Sequence, residues 1–194
     1  LSPFAALAGA AAASQLTGLL PGAGKLAGAT AGLIGPAMCT YTAVLLADTA
    51  TPSWHEMYRE LPFLFAGSAM TAGAGALMLS VPPEQAGPAR RMALLGAGLE
   101  LAAERRISHS HGLLSEPWRS KRAGRLLTAA RALTAVGAGL SLVGKRSRLA
   151  AAASGVSLLA AGLCTRFGAF DAGVESTKDP KYVVIPQRER LRGS

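Results

Sequence analysis

The chain has 194 residues, of which 50% are hydrophobic and only 16% are charged, and its formal net charge is +9. A soluble domain usually carries about 25% charged residues, so this composition disfavours an ordinary soluble fold and favours a membrane bundle. The basic residues stand in short clusters between apolar runs, which is typical of the flanks of membrane spans and disfavours nucleic acid as a partner.

Long apolar runs with few charges predict an all-α, polytopic transmembrane bundle of about six helices. The first run ends at the turn "PGAGK", and the second is uncharged from Lys25 to Asp48, long enough to cross a hydrocarbon layer of about 30 Å. The predicted spans are 3–20, 26–48, 61–82, 90–107, 124–144 and 148–166. A basic polar tail follows at 176–194.

Small residues recur at helical spacing in the second run. Gly24, Gly28 and Gly32 are four residues apart, which predicts a stripe where another helix packs closely. Pro36 follows Gly35 within the same run and predicts a kink near its middle. The only β-like pattern is "YVVI" at 182–185 in the tail.

The orientation follows from the basic residues on alternate sides of the predicted spans. The side that holds the Trp54 loop, the 104–125 loop and the tail carries more lysine and arginine than the other side. Such an excess marks the cytoplasmic face, so we expect a multi-pass protein of the cell membrane with a cytoplasmic C-terminus. Because the chain starts within an apolar run at Leu1, it reads as part of a longer protein.

The sequence predicts no metal or haem centre. Cys39 and Cys164 stand alone in apolar runs and match no iron–sulfur spacing, and no histidine lies inside a predicted span to ligate a haem. His109 and His111 form an H-x-H pair without a nearby third ligand. Electrons that pass through this chain would therefore come from a partner and leave on a diffusible organic acceptor.

Polar and aromatic residues cluster where the second predicted span ends. Asp48 closes the span, Trp54 and His55 follow, and Tyr41 lies two turns before Asp48 on the same face. One interpretation is a polar turn with an interfacial tryptophan. The other is a quinone-head or proton-entry site, because quinone carbonyls need donors and a proton supply.

Two glutamates interrupt the fourth predicted span. Glu100 and Glu104 are four residues apart and share one helix face. A carboxylate inside a span needs compensation, and Arg131 on the next helix is the expected ion-pair partner of Glu100. Alternatively, this segment is an amphipathic surface helix with both glutamates in water. Arg166, at the end of the last span, is expected to bind a lipid phosphate or neutralise a carboxylate such as Asp48.

Two stretches carry a resemblance to a known family. "PAMCTYTAVLLADTATPSWHEMYRELPFLFAGSAM" resembles the later part of the NrfD/PsrC family, the membrane subunit of polysulfide-reductase-type enzymes. "TRFGAFDAGVESTKDPKYVVIPQRERL" resembles the C-terminus of actinobacterial members. The resemblance extends over nearly the whole chain, and these two stretches are its most specific parts.

The resemblance implies a haem-free membrane subunit that docks to a four-cluster iron–sulfur subunit and a molybdopterin catalytic subunit. It implies electron exchange with menaquinone or ubiquinone in the lipid bilayer, with coupling to proton movement as a further expectation. Tyr41, Asp48, Trp54, His55, Glu100 and Arg166 remain site candidates by chemistry and position, because the family's quinone contacts lie largely in earlier helices.

Two other functions fit the same composition. A small-solute or ion transporter would explain Glu100, Arg131 and the similar segments "MTAGAGALML" and "LTAVGAGLSL". A membrane anchor without chemistry would tolerate replacement of Asp48 and His55. A soluble, alanine-rich helical bundle is a further alternative.

Overall fold

The computed structural model describes residues 2–145 and 147–193. Within these residues the secondary structure is helical and contains no strand, which confirms the prediction of an all-α bundle. Two 3₁₀ turns, Gly112–Ser115 and Pro117–Arg119, separate the fifth and sixth helices. The α-helices are α1 (Ser2–Thr17), α2 (Pro21–Ala47), α3 (Pro52–Glu56), α4 (Leu61–Ser80), α5 (Gly87–Ser110), α6 (Lys121–Val143), α7 (Arg148–Lys178) and α8 (Lys181–Gly193).

The helix count differs from the predicted six at two places. The loop after the second span contains the short helix α3, and the predicted basic polar tail contains the helix α8. "YVVI" is helical, because Pro180 restricts the backbone at the start of α8 and the Asp179 side chain accepts a hydrogen bond from Lys181 N at 2.9 Å. The last predicted span continues to Lys178, twelve residues beyond its predicted end at 166.

Four helices form a closed ring: α4 packs against α5 and α7, and α6 packs against α5 and α7. α2 lies outside this ring against α4, and α1 packs on α2. The short helix α3 contacts α7, and α8 contacts α3 at the same end of the ring. We call the end that holds α3, the 3₁₀ turns and α8 the tail-side end.

Among the residues that the structure describes, four helices are long and apolar enough to cross a membrane: α2, α4, α6 and α7. Only 11% of the most apolar window of α2 is buried, so most of its apolar surface is free to contact lipid. Of the six predicted spans, α1 is too short at 16 residues, and α5 carries too many charges to qualify on composition. The four qualifying helices indicate a multi-pass membrane protein.

Glycines set the closest approaches inside the ring. A Cβ at Gly96 of α5 would lie 2.8 Å from Met70 Cβ and 2.9 Å from Gly67 O of α4. Gly75 of α4 and Gly155 of α7 approach each other in the same way, each 2.7 Å from the other's carbonyl oxygen if given a Cβ. Small residues therefore let these backbones touch, as is usual in membrane bundles.

Only part of the predicted glycine stripe on α2 contacts α1. A Cβ at Gly24 would overlap Ser14 of α1 and one at Gly28 would meet Ala11, whereas Gly32 faces open space. Pro36 lies inside α2, and the helix continues through it without interruption.

Gly96→Ala should destabilise the ring, because the new methyl group meets α4 backbone and cannot be relieved by side-chain movement. We expect a loss of about 1–3 kcal/mol in the free energy of unfolding. Gly98→Ala is the matched control on the same helix, since its Cβ would meet nothing within 4 Å. Thermal unfolding in detergent distinguishes the two, and equal melting temperatures would contradict the close α4–α5 crossing.

α8 is fastened to the tail-side end by one carboxylate. Glu116 Oε2 accepts a bond from Lys181 Nζ at 2.9 Å and one from the Tyr182 hydroxyl at 3.2 Å. The hydrogen bond from Lys181 is the main reason that the pKa of Glu116 is lowered from 4.5. The same bond raises the pKa of Lys181 above 10.5.

The docking of α8 should therefore depend on pH at both extremes. The Glu116 contribution is present above pH 4.5 and is lost as the pH falls through its lowered pKa. The Lys181 contribution is present below pH 10.5 and is lost as the pH rises through its raised pKa. Protection of the α8 amides, measured as the exchange rate relative to the intrinsic rate at each pH, should thus be greatest between these limits.

Lys181→Met should make α8 exchange faster and flatten this pH dependence. Lys178→Met is the control, because Lys178 pairs with Glu175 inside α7 at 2.9 Å and not with the 3₁₀ turn. A pH dependence of α8 exchange that survives in Lys181→Met would show that other groups hold the helix.

Candidate functional site

The most buried ionisable residue in the ring is Glu100 of α5, whose exposed fraction is 2%. Thr165 Oγ1 of α7 donates to Glu100 Oε1 at 2.6 Å. Thr71 of α4 and Thr134 of α6 each place a hydroxyl 3.3 Å from Oε2. Each of the other three helices in the ring thus supplies a hydroxyl donor to this carboxylate.

A fourth hydroxyl lies in the same cluster. Ser68 of α4 is 1% exposed, and its hydroxyl lies near the Glu100 carboxyl. Within the described part of the chain, Ser68 Oγ has no hydrogen-bond partner at normal bonding distance. We call Glu100, Ser68, Thr71, Thr134 and Thr165 the hydroxyl cage.

The cage borders a closed void that leaves no space for a water molecule. The void is lined by Glu100, Thr134 and Thr165 of the cage, together with Leu64, Glu104 and Arg131 and neighbouring apolar residues. The Glu100 carboxylate is therefore held by protein hydroxyls and not by solvent.

The prediction that Arg131 pairs with Glu100 is wrong, because Arg131 pairs with Glu104 instead. Arg131 Nε lies 3.0 Å from Glu104 Oε1, one helical turn closer to the tail-side end. The Glu104 side chain is 6% exposed and the Arg131 side chain 51%, so the guanidinium reaches inward from the surface and stops at the first carboxylate. Glu100 is compensated by hydroxyl groups instead.

A groove between α5 and α6 opens at the tail-side end, with a volume of about 920 Å³. Its polar lining includes Glu104, Ser108, His109, Arg125, Thr128 and Arg131. Glu104 and Arg131 line both this groove and the closed void, so their ion pair separates the two spaces.

His109 stands at the mouth of the groove with a defined tautomer. Its Nδ1 lies 2.8 Å from Arg105 O, and a carbonyl can only accept, so Nδ1 carries a hydrogen. In the neutral ring Nε2 therefore holds the lone pair and can take up a proton.

The Trp54 segment serves as a helix-docking element. Trp54 Nε1 donates to Ala169 O of α7 at 2.8 Å, and its ring packs on Gly173. The hydroxyl of Ser53 donates to Ala172 O at 3.4 Å. The Trp54 donor is therefore engaged with α7 and is not free for a quinone carbonyl.

His55 and its neighbours lie on the surface of the tail-side end. His55 Nδ1 is 3.1 Å from Ala47 O, and its ring lines a cavity of about 190 Å³ between the Trp54 segment and α8. Asp48 is exposed at the end of α2, and Tyr41 is 45% exposed on the same helix.

Arg166 is exposed on α7, with its guanidinium 5.6 Å from the centre of the Phe65 ring. No hydrogen bond, ion pair or ring contact described for residues 2–145 and 147–193 joins any two of Tyr41, Asp48, Trp54, His55, Glu100 and Arg166. These candidates therefore do not form one site, and Glu100 stands apart from the rest inside the ring.

The described residues contain no group of three or more His, Cys, Asp or Glu side chains that could hold a metal ion. Cys39 and Cys164 are free thiols. The H-x-H pair is split, since His109 faces Arg105 O while His111 Nε2 lies 3.5 Å from Glu60 Oε2.

Sequence reasoning missed two groups of residues. The cage hydroxyls were missed because serine and threonine are common in membrane helices, although Ser68 and Thr71 share the helix face of Leu64. The second group is the buried Glu60, which immediately precedes α4, pairs with Arg106 at 3.0 Å and fastens the start of α4 to α5.

Comparisons with known proteins add no relative: no family model matches the chain, and no curated protein or solved structure is detectably similar to it. The class of protein defined by the fold is therefore a multi-pass helical membrane protein with a buried carboxylate. Any narrower function is a proposal.

Arg131→Met should destabilise the protein, because it leaves the buried Glu104 carboxylate without its cation. We expect a loss of about 1–3 kcal/mol in the free energy of unfolding. Arg91→Met, at an exposed position near the other end of α5, should change it by less than about 0.5 kcal/mol. Unfolding of both variants in detergent checks this, and an unchanged Arg131→Met protein would mean that Glu104 needs no cation.

Proposed function

We propose that this chain is the membrane subunit of a quinone-linked oxidoreductase complex, with the quinone head group in the tail-side groove. The observation that carries the proposal is the groove itself, which joins a proton-accepting histidine, a carboxylate and several cationic donors at the end of a membrane bundle. The resemblance to the NrfD/PsrC family supports the same function.

The chemistry of quinones makes specific demands on such a site. Reduction of a quinone takes two electrons and two protons and yields the quinol, and oxidation of the quinol returns them. The Nε2 lone pair of His109 can accept a proton from a quinol hydroxyl, and the charged form can donate it back. Arg125 and Thr128 provide donors for the carbonyl oxygens.

Size and surroundings favour the groove over the Trp54 loop. Pockets for organic ligands usually have volumes of about 300–1,000 Å³. The groove has about 920 Å³, whereas the cavity beside His55 has about 190 Å³. Ala129 and Ala132 line the groove on α6, and Val136, 52% exposed, continues that face where an isoprenoid chain could lie.

The partners in this proposal are the iron–sulfur and molybdopterin subunits that the resemblance implies. Among the described residues no metal ligand set exists in this chain, so the iron–sulfur partner would deliver or remove the electrons. The excess of lysine and arginine at the tail-side end supports a cytoplasmic C-terminus in the cell membrane.

Purification in gentle detergent should recover the chain with an iron–sulfur protein, and recovery of the chain alone would count against the proposal.

His109→Ala should slow quinol turnover of the complex by at least about tenfold, because the site loses its proton acceptor. His55→Ala is the matched control, since His55 makes the same kind of Nδ1 contact with a backbone carbonyl outside the groove. The measurement is quinol-dependent electron transfer in membranes that contain equal amounts of assembled complex.

The two variants also separate the two possible sites. Slow turnover in His55→Ala with normal turnover in His109→Ala would move the quinone site to the Trp54 loop. Normal turnover in both variants would place the quinone outside both sites.

The hydroxyl cage favours a second candidate function, ion movement through the bundle. A carboxylate inside a membrane bundle is commonly part of an ion or proton pathway. This function needs no redox partner.

A further inference from the structure

We propose that Glu100 is a binding site for a single proton in the middle of the bundle, and that this proton exchanges with the tail-side groove past the Glu104–Arg131 pair. The inference rests on the second candidate function, ion movement, and names its ion and its site; it holds whether or not a quinone occupies the groove, so its test is independent of quinol turnover.

The cage suits the ionised form of Glu100. An ionised carboxylate only accepts hydrogen bonds, and Thr165, Thr134 and Thr71 place hydroxyls at 2.6, 3.3 and 3.3 Å from its two oxygens. Hydroxyl donors offset part of the cost of removing the charge from water. No cation bonds to Glu100 within the described chain, so this stabilisation comes from neutral groups.

The cage also suits the protonated form, and this depends on Ser68. A protonated carboxyl has an O–H that needs an acceptor. Thr71 also bonds to Ser68 O at 3.0 Å, so its hydroxyl is shared. Ser68 Oγ is 1% exposed and has no partner at normal bonding distance in the described residues, so its oxygen is open to accept a bond. A buried hydroxyl left without a partner is uncommon, and a proton on Glu100 would supply one.

The size of the void favours a proton over a metal cation. The space beside Glu100 leaves no room for a water molecule, and a hydrated ion is larger still. Proton binding adds no heavy atom and converts the carboxylate to the neutral acid, so the packing of the ring is unchanged.

A route from Glu100 to water leads toward the tail-side end. Glu104 lies one turn from Glu100 on the same face of α5 and lines both the void and the groove. Its partner Arg131 also lines both spaces, so movement of this pair would connect Glu100 to the groove. The carboxylate of Glu104 can take a proton from groove water and release it to Glu100.

The charged groups that face Glu100 are few. α5 contributes Glu104 and α6 contributes Arg131. From α4 and α7 the neighbours are the cage hydroxyls and Leu64, none of which titrates in the physiological range. A pH dependence of Glu100 should therefore reflect Glu100 itself, modified by the Glu104–Arg131 pair.

The test uses the full chain in membrane vesicles and the apolar reagent dicyclohexylcarbodiimide. This reagent adds the O–H of a protonated carboxyl across its C=N bond, and the product rearranges to a stable acylurea that mass spectrometry detects. We expect modification at Glu100 that slows as the pH at the tail-side face is raised. Sodium and lithium ions should leave the rate unchanged.

Variants identify the groups involved. Glu100→Gln should abolish the modification. Ser68→Ala should lower the pH of half-maximal modification by about 0.5–1 unit if Ser68 accepts the carboxyl O–H, whereas a rise would show that Ser68 donates to the ionised form and would exclude it as the acceptor. Ser154→Ala is the matched control, since Ser154 is an equally buried serine that donates to Gly137 O at 2.6 Å away from the cage.

Each opposite result overturns a defined part of the proposal. Absence of modification at Glu100, together with absence of a protonated-carboxyl C=O stretching band that Glu100→Gln removes from the infrared spectrum, over the whole pH range in which the protein stays folded would exclude a proton site. Protection by sodium or lithium would replace the proton with an alkali cation. Equal sensitivity to pH changes at the opposite face would exclude access through the groove, and an unchanged Ser68→Ala protein would exclude the serine as acceptor.

Discussion

A carboxylate in the middle of an apolar bundle is the constraint on which the ring of four helices depends. Moving a carboxylate out of water is strongly unfavourable unless donors replace the lost hydration. Glu100 obtains its donors from α4, α6 and α7, one threonine from each. The rotations of α4, α6 and α7 must therefore each point a hydroxyl at the carboxylate of α5. The polar contact fixes the mutual register of helices whose apolar surfaces would tolerate many arrangements.

Glycine makes this arrangement possible, and the tail-side end keeps it in place. Gly67 and Gly96 bring α4 and α5 into backbone contact one turn from Glu100. The Glu100 side chain is therefore long enough to contact Thr71. At the tail-side end Glu60 pairs with Arg106, and Trp54 donates to the backbone of α7. At the other end Arg148 of α7 donates to Val81 O at 2.7 Å and to Met78 O at 3.1 Å, which satisfies carbonyls at the end of α4.

The long helices could be predicted from the sequence because each is a run of apolar residues bounded by charge, glycine or proline. The starts of α4 at Leu61 and α7 at Arg148 agree with the predicted spans. The partner of Arg131 could not be predicted, because Glu100 and Glu104 share one face and only the depth of α5 decides which one the arginine reaches. The hydroxyl cage could not be predicted either, because nothing in the sequence distinguishes Thr134 and Thr165 from other threonines in alanine-rich helices. Only the packing of α6 and α7 brings them together.

The position of the Glu104–Arg131 pair relates the two proposed activities to each other. The pair lines the groove on one side and the closed void on the other. A proton released by a quinol in the groove would change the charge next to this pair and alter the attraction that holds Arg131 over Glu104. The buried carboxyl would respond to that change without any contact with the quinone, because Glu104 is its neighbour on the helix. Electron exchange at the surface and proton binding in the ring would then be coupled through a single ion pair.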